Sequence, residues 1–425
     1  MDRRRFFQTA AVSLGAAGSV LGANDRVQVA IIGLGGRGRD HIAEYSKRTD
    51  CRIAAVCDVN QAAQERAAAL VEKLTGSKPR VFSDARKLLA DKEIDTVSIA
   101  TPNHWHALGT IWACQAGKDV YVEKPACHNV YEGRKMVEAA RKYKRMVQVG
   151  SQSRSIAHKI RAIELLDNGA IGKLYMAKGI CYRRRKSIGH TPDTPVPAGI
   201  DWDMFLGPAR MKPFSENKYK YNWHWFWDTG NGDIGNQGVH EMDVARWVLK
   251  KREMPRSVVS TGGKYAYVDD QETPNTQYST LDFGDCQLCF EVRGLITPPD
   301  EGMMVGNIFW GSEGYMTLDQ DGYAVYKGEG REKVMQARYA EPRIWDTTPH
   351  VATFLKAVRS RNPRDLTADV EEGVLSANLC HVANISYRLG RKLAMDPKTG
   401  RFADADANRM LTRDYRAPYV VPERV

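Results

Sequence analysis

Residues 27–40 constrain the fold of this chain more than any other segment. Their first half is a short apolar run with β-branched side chains, which predicts a buried strand. Their second half carries a glycine pattern of the form G-x-G-x-x-G, with an arginine inside it: Gly33, Gly35, Gly36, Arg37 and Gly38. This spacing permits a tight turn, close backbone approach to a pyrophosphate and close packing of the following helix. The segment predicts a dinucleotide site at a helix N-terminus, with an ordinary strand-to-helix turn as the alternative.

Downstream of this loop, apolar runs that predict strands alternate with segments that predict helices. The further predicted strands are residues 52–57, 94–100, 120–125 and 146–150. This alternation predicts a parallel, doubly wound α/β sheet, in which ligands bind at the carboxyl ends of the strands. Four polar residues fall at or just past such ends: Asp58, Asn103, Lys124 and Gln152.

Asp58 predicts which dinucleotide is bound. It lies 20 residues after Gly38, near the spacing of the acid that binds the adenosine ribose hydroxyls. Its charge should repel a 2′-phosphate, so the sequence favours NAD over NADP. Arg37, inside the glycine loop, keeps NADP open as the alternative.

The second half of the chain changes character. Alternating segments over 174–184, 257–268, 276–283 and 287–292 predict a large, open antiparallel sheet in an α+β domain, with a hairpin turn at Gly284-Asp285. The predicted domains are therefore 25–150, a Rossmann domain; 151–394, a substrate-binding and oligomerisation domain; and 395–425, a tail that packs on the body or on a neighbouring subunit. The eight cysteines are scattered without C-x-x-C spacing, which predicts buried free thiols and no metal site.

The N-terminus and the charge balance address location and partners. Residues 1–23 carry three consecutive arginines, two phenylalanines and a short apolar run, which is typical of a twin-arginine export signal and too short for a membrane span. A periplasmic protein is predicted, or a cytoplasmic one if this leader does not work as a signal.

The net charge is +11, but the basic residues are mostly scattered and no nucleic-acid motif accompanies them. We expect no nucleic-acid partner and no membrane insertion.

Two segments carry residue types suited to alcohol chemistry. Lys124, at a strand end before Pro125, can hydrogen-bond a substrate hydroxyl and stabilise its oxygen as negative charge develops. His240 lies near the start of a helix predicted over 238–250, where a neutral imidazole can act as a general base. Asn236 is expected on the same helix face. The tryptophans at 223, 225 and 227 alternate as on an extended strand, and either stack on a sugar ring or belong to the core.

Together these motifs resemble the glucose-fructose oxidoreductase, inositol dehydrogenase and MocA family over residues 27–393. The resemblance rests on the glycine loop, Asp58, residues 101–106, residues 123–125, and His240 with Asp243. It implies a nicotinamide dinucleotide, sugar or polyol substrates, and a homodimer or homotetramer. The implied cofactor residues are Gly33, Gly35, Gly36, Arg37, Gly38, Asp58, Thr101, Pro102, Asn103, His106, Glu123, Lys124 and Gln152.

The resemblance also implies the reacting groups. Lys124 orients the substrate and His240 accepts the proton, with Asn236 beside them. The implied substrate-binding residues are Lys124, Arg154, Trp225, Trp227 and His240. Many members carry an aspartate four residues before the histidine, where this chain has Asn236. Because an amide cannot take up a proton, His240 would carry more of the proton transfer.

The function expected from these features is NAD(P)-dependent hydride transfer at a carbinol of a sugar, glycoside or polyol. Outside the cytoplasm free NAD should be scarce, so we expect the dinucleotide to stay tightly bound and to be reset in each cycle. Oxidation, elimination and re-reduction of one sugar, giving net glycoside hydrolysis, is the alternative. A non-catalytic sugar-binding protein is the third possibility.

Overall fold

The structure is a computed structural model that describes residues 26–339 and 347–425. The predicted export signal, residues 1–23, lies outside these residues. The domain limits given above stay a prediction, because helices late in the chain pack on both sheets.

The first sheet has six parallel strands in the order β3-β2-β1-β4-β5-β6. Its strands are β1 (Val27–Ile32), β2 (Cys51–Cys57), β3 (Arg80–Phe82), β4 (Thr96–Ile99), β5 (Asp119–Val122) and β6 (Val147–Val149). The helices between them are α1 (Gly36–Ser46), α2 (Gln61–Thr75), α3 (Ala85–Leu89), α4 (Asn103–Gln115) and α5 (Val130–Lys142). The central strands are buried on both faces, which explains their continuous apolar runs. The predicted doubly wound Rossmann sheet is confirmed, and its order reverses between β1 and β4, where such sheets bind ligands.

The glycine loop joins β1 to α1 by close backbone contacts. Gly33 has a φ of +87°, a left-handed conformation that side chains with a Cβ rarely adopt. A Cβ on Gly38 would lie 1.9 Å from the backbone oxygen of Gly33, so the first turn of α1 packs directly on the end of β1. Gly35 and Gly36 have no neighbour within 4 Å of an added Cβ and face open space.

The second sheet has nine strands in the order β14-β13-β12-β11-β7-β10-β9-β8-β15. They are β7 (Leu174–Cys181), β8 (Ser257–Gly263), β9 (Thr276–Asp282), β10 (Gln287–Arg293), β11 (Val305–Gly311), β12 (Gly314–Leu318), β13 (Gly322–Lys327), β14 (Glu332–Arg338) and β15 (Leu393–Ala394). The predicted hairpin at Gly284-Asp285 is confirmed, since β9 and β10 pair antiparallel across it. The sheet is mixed rather than purely antiparallel, because β10 pairs parallel with β7.

Late helices connect the two sheets. The second half contains α6 (Ala157–Asp167), α7 (Trp202–Leu206), α8 (Gly232–Asn236), α9 (Gly238–Leu249), α10 (Thr348–Ser360), α11 (Val370–Leu389) and α12 (Ala405–Arg409). Helix α11 contacts α5 of the first domain and also α9 and β8 of the second. Phe354 and Leu355 of α10 share a core cluster with Val29 and Ile31 of β1. The first sheet is therefore covered partly by helices that follow the second sheet in sequence.

The cysteines and the hydropathy of the helices also bear on the predictions. All eight cysteines are buried free thiols, as predicted. In the part of the chain that is described, no helix combines the length and apolar character needed to cross a membrane.

The extended strand predicted over the three tryptophans is wrong. A 3-10 helix runs over Asn222–Trp225, and the Phe226 amide donates to the carbonyl of Trp223. Its backbone groups bond partly within the segment and partly to residues 272 and 273, whose amides donate to the Trp225 carbonyl. The alternation of tryptophans does not reflect a pleated strand here.

We expect Gly38→Ala to destabilise the protein by about 2 kcal/mol or more, because its Cβ would overlap a backbone oxygen that cannot move without displacing β1. Gly36→Ala is the matched control, since its Cβ meets open space and alanine favours a helix. Urea denaturation followed by circular dichroism measures both. Equal midpoints for Gly38→Ala and the wild type would contradict the packing described.

Candidate functional site

A cavity of about 790 Å³ lies at the carboxyl ends of β1, β2, β4 and β5. Its size is that of a small-molecule or cofactor site. Most of the predicted site residues line it: Gly33, Gly35, Gly36, Arg37, Asp58, Thr101, Pro102, Asn103, His106, Glu123, Lys124 and Asn236. The topology therefore brings together residues that the sequence places more than 200 positions apart.

The glycine end of this cavity fits a dinucleotide pyrophosphate. Helix α1 begins at Gly36 with no side-chain cap and no acidic residue in its first turn, so its first amides face the cavity without a side-chain acceptor. Such amides bind anions. The hydroxyl oxygen of Thr101, whose backbone lies against Gly33, is buried without a hydrogen-bond partner among the described residues. An unpaired buried hydroxyl in a cavity wall is a group that a bound ligand can satisfy.

Asp58 lies at the end of β2, as the adenosine end of such a site requires. Its carboxylate accepts hydrogen bonds from the amide of Leu34, at 2.6 Å, and from that of Asn60, at 2.9 Å. Burial raises the pKa of this carboxyl, and the backbone amides oppose the shift. Arg37, the reason for considering NADP, instead points its guanidinium at Glu123, 2.8 Å away.

Glu123 is the centre of a buried polar cluster at the end of β5. Its carboxylate accepts from Arg37 at 2.8 Å and from Gln152 at 3.2 Å, and lies 3.0 Å from His41 Nε2. Burial opposes ionisation, yet the charge of Arg37 and the bond from His41 hold the pKa of Glu123 well below its usual range. Burial lowers the pKa of His41, so its ring is neutral, donating to Glu123 and accepting from Ser98 at 2.9 Å. Glu123 is therefore an ionised carboxylate whose role is to hold α1, β5 and the segment after β6 together.

Lys124 and Asn236 contact each other in the cavity wall, and His240 follows Asn236 behind that wall. The Lys124 ammonium donates to the Asn236 carbonyl oxygen at 3.0 Å and to its Oδ1 at 3.4 Å. Burial lowers the pKa of Lys124, an effect that Glu123 partly offsets. His240 lies in α9, four residues after Asn236 at the end of α8, and is half-buried. Burial, followed by the charge of Lys124, holds the pKa of His240 well below 6.5, so its imidazole is neutral at pH 7.

The remaining residues of the 101–106 motif hold the walls in place. The two ring nitrogens of His106 lie 2.8 Å from the Thr101 carbonyl oxygen and 2.7 Å from that of Pro125. Asn103 donates to the side-chain oxygen of Asn231 at 3.0 Å. These contacts connect the loop after β4 to the loops that carry Lys124 and Asn236.

Six predicted site residues are not among those lining the cavity, and one of them is His240 of α9. Gly38 packs against the backbone of Gly33, and Gln152 donates a hydrogen bond to Glu123. Arg154 makes a bidentate pair with Asp243, and its guanidinium also contacts a second carboxylate. Trp225 and Trp227 each lie under an arginine, at 5.3 and 5.0 Å from ring centroid to guanidinium carbon. The substrate roles of Arg154, Trp225 and Trp227 stay predictions.

Sequence reasoning missed a segment that covers the cavity. Residues 199–224, which we name the roof, leave the second domain and cross the end of β2. The side-chain amide of Asn60 donates to the Tyr219 hydroxyl at 2.8 Å, and the backbone amide of Gln61 donates to the Gly199 carbonyl at 2.8 Å. The Trp105 indole donates to the Met204 carbonyl at 3.0 Å. No local pattern in the sequence indicates these pairs.

The C-terminal tail fastens the roof from outside. The guanidinium of Arg416 pairs with Asp203 and donates to the Asp203 carbonyl at 2.7 Å and to the Ala209 carbonyl at 3.3 Å. The Tyr419 hydroxyl donates to the Asp203 carboxylate at 3.1 Å, and its ring lies 5.4 Å from that of Trp105, centroid to centroid. Tyr419 also lines the cavity. The tail therefore packs on the body of its own chain at this point.

Comparison with known families gives two matches that together cover most of the chain. Residues 27–151 match the model of the oxidoreductase family with an NAD-binding Rossmann fold, and residues 182–273 and 323–421 match the model of that family's C-terminal alpha/beta domain.

Individual relatives are more distant. A glycosyl hydrolase family 109 protein of Shewanella sp. (strain W3-18-1) is 29% identical over 154 residues, which is 35% of this chain and 34% of that protein. The D-glucoside 3-dehydrogenase of Escherichia coli (strain K12) is 31% identical over 224 residues, 52% of this chain and 54% of that protein. The chain thus matches a third to a half of the length of these relatives.

Solved structures share the fold. The WlbA dehydrogenase of Bordetella pertussis, crystallised with NADH and UDP-GlcNAcA, has a TM-score of 0.64 and 20% identity, covering 87% of this chain and 99% of that one. GenD2 from gentamicin A biosynthesis, crystallised with NAD, has a TM-score of 0.65 and 21% identity, covering 88% and 97%.

Proposed function

This chain belongs to the oxidoreductase family whose N-terminal domain is an NAD-binding Rossmann fold, and from that premise we propose that it transfers hydride between a nicotinamide dinucleotide and a carbinol of a sugar, glycoside or polyol. The observation that carries this proposal is the position of Lys124. Its ammonium lies in the wall of the cavity that begins at the glycine loop, with the neutral imidazole of His240 nearby. A cation and a base beside one cavity are what oxidation of an alcohol needs.

The residues divide the chemistry between them. The α1 amides, Asp58 and Thr101 would hold the dinucleotide, which when bound supplies the hydride-accepting ring. His240 takes the hydroxyl proton, and in the described part of the chain no residue hydrogen-bonds its ring. Lys124 donates to the carbinol oxygen and stabilises the negative charge that develops there. Asn236 cannot exchange a proton, so it orients Lys124 while His240 alone acts as the base.

We expect His240→Ala to lower kcat about 10²- to 10⁴-fold, the range for loss of a general base, while the bound dinucleotide content stays at the wild-type level. Reduction of the bound nicotinamide by a panel of methyl glycosides, followed at its absorbance band, measures the effect. His190→Ala is the control, because His190 is exposed and pairs with Asp270 outside the cavity. Wild-type turnover in His240→Ala would remove the base from its assigned role.

The pH dependence follows from the same two groups. His240 must be neutral to accept a proton, and its lowered pKa places the acidic limb of kcat/KM below pH 6.5. Lys124 must be protonated to donate, and its lowered pKa places the basic limb below pH 10.5. Initial rates between pH 4.5 and 10.5 check both limbs. An acidic limb at or above pH 6.5 would contradict the assignment of His240.

We further propose that the dinucleotide is NAD and that it stays bound through many turnovers. Asp58 at the ribose end and the pairing of Arg37 with Glu123 support NAD over NADP. The roof and the tail support retention, because release requires their contacts to open. Retention also suits export to the periplasm by the twin-arginine route, which carries folded proteins, and the arginine-rich leader supports that location.

We expect Arg416→Ala to speed release of the dinucleotide about tenfold, because it removes the hydrogen bonds that fasten the tail to the roof. Arg424→Ala is the control, since Arg424 is an exposed tail arginine outside the cavity. The dinucleotide remaining on each protein is quantified by mass spectrometry over a timed dialysis. Identical release from both variants would show that the tail does not retain the cofactor.

Redox-neutral glycoside hydrolysis is the second candidate. It is favoured by the relatives described as glycosyl hydrolase family 109 proteins, which match 35% of this chain. Both reactions begin with the same oxidation, so the site described serves either. Release of methanol from a methyl glycoside with no net change in nicotinamide absorbance supports hydrolysis, whereas reduction without cleavage supports the dehydrogenase.

A homodimer or homotetramer is also proposed. Exposed apolar side chains on the second sheet support it: Tyr175 on β7, Tyr278 on β9, and Val334 and Met335 on β14. Light scattering measures the assembly directly.

A further inference from the structure

The phenol of Tyr221 lies beside the reacting groups and has no role in the mechanism above. Tyr221 belongs to the roof, lines the cavity and is 52% exposed. The Asn236 amide nitrogen donates to its hydroxyl oxygen at 3.1 Å, and the Arg185 guanidinium donates to the same oxygen at 3.3 Å. One amide group thus joins Tyr221 to Lys124.

The direction of these bonds determines what the phenol can still do. Lys124 has only donors, so Asn236 must turn its oxygen toward Lys124 and its NH₂ toward Tyr221. A guanidinium likewise has only donors. Both acceptor positions of the phenol oxygen are therefore occupied, and neither neighbour can accept the phenol proton. Among the described residues none accepts it.

Arg185 is itself fixed, so the phenol oxygen is held in one place. Its guanidinium makes two hydrogen bonds to Asp233, at 2.9 and 2.7 Å, and this carboxylate is 3% exposed. The Arg185 charge is thereby neutralised and does not offer a site for an acidic substrate. The pair Arg185–Asp233 positions Tyr221 rather than binding a ligand.

We propose that Tyr221 is a further substrate-contacting residue, whose O–H donates a hydrogen bond to an oxygen of the sugar next to the carbinol held by Lys124. This inference rests on the proposed function and extends it to specificity. Lys124 and Tyr221, joined by one amide, form a pair of donors suited to two neighbouring oxygens, so the substrate class is a sugar or polyol with vicinal oxygens. A lone alcohol would gain no hydrogen bond from Tyr221, so it would bind more weakly than a sugar that supplies a second oxygen.

Tyr221→Phe tests this assignment because it removes the hydroxyl and keeps the ring. We expect kcat/KM to fall about tenfold on the methyl glycoside that the wild-type protein oxidises fastest, as for loss of one hydrogen bond. The Kd of the same glycoside for the NADH-loaded protein, measured by calorimetry without turnover, should rise by a similar factor. Melting temperature and dinucleotide content should match the wild type, since the phenol is half exposed.

A pair of deoxy sugars makes the test specific. The wild-type protein should disfavour one of the two monodeoxy glycosides that lack a hydroxyl beside the oxidised carbon, and Tyr221→Phe should treat that analogue and the parent alike. Tyr265→Phe is the matched control, because Tyr265 is 52% exposed, like Tyr221, and lies outside the cavity.

The outcomes separate this inference from the proposed function. A wild-type protein that oxidises no sugar or polyol overturns both. An active wild type with unchanged kcat/KM and Kd in Tyr221→Phe, or with its preference against the deoxy analogue retained in that variant, overturns the role of Tyr221 alone. Loss of dinucleotide from Tyr221→Phe would assign the residue to cofactor retention and also overturn the proposal.

Discussion

The site depends on one buried charge, the carboxylate of Glu123 at the end of β5. An ionised group in a protein interior is stable only when it is paired and hydrogen-bonded. Glu123 obtains its partners from α1, through Arg37 and His41, and from the segment after β6, through Gln152. These elements must therefore meet at one point. Because Arg37 lies inside the glycine loop and Lys124 is the residue after Glu123, the same cluster sets the distance between the phosphate end and the reacting end of the cavity.

At the end of the cavity that holds Lys124, the side-chain amide of Asn236 determines how the neighbouring groups are arranged. Where many family members carry an aspartate, this chain has Asn236, so the ammonium of Lys124 faces an uncharged partner. Burial is the main cause of the lowered pKa of Lys124. The nearby His240 is kept neutral by burial and by Lys124. Asn236 cannot accept a proton, so the base that we propose is the imidazole of His240. The amide also does what an ionised carboxylate cannot, since it accepts from Lys124 on one side and donates to Tyr221 on the other.

The sequence predicted the features that depend on neighbours in the chain. Strand and helix periodicity, the glycine spacing and Asp58 are local patterns, and the parallel sheet then places Lys124 at the correct edge. Arg154 was predicted for the substrate because nothing in the sequence reveals its pairing with Asp243, 89 residues away. The roof is invisible for the same reason, since Tyr219 meets Asn60 across 159 residues and Tyr419 meets Asp203 across 216. Alternating apolar residues likewise predict a strand but not its direction, so the parallel pairing of β7 with β10 was missed.

The roof contacts both the end of the cavity proposed for the cofactor and the end proposed for the substrate. Tyr219 bonds to Asn60, next to the end of β2 where the cofactor ribose would lie, and Tyr221, two residues later, bonds to Asn236 beside Lys124. Movement of this short stretch of backbone would displace both tyrosines together. A dinucleotide beneath the roof would therefore stabilise the position of Tyr221, and an open roof would remove both a wall of the cofactor site and a donor of the substrate site. Cofactor retention and substrate recognition, as proposed above, would therefore both depend on the position of this one segment.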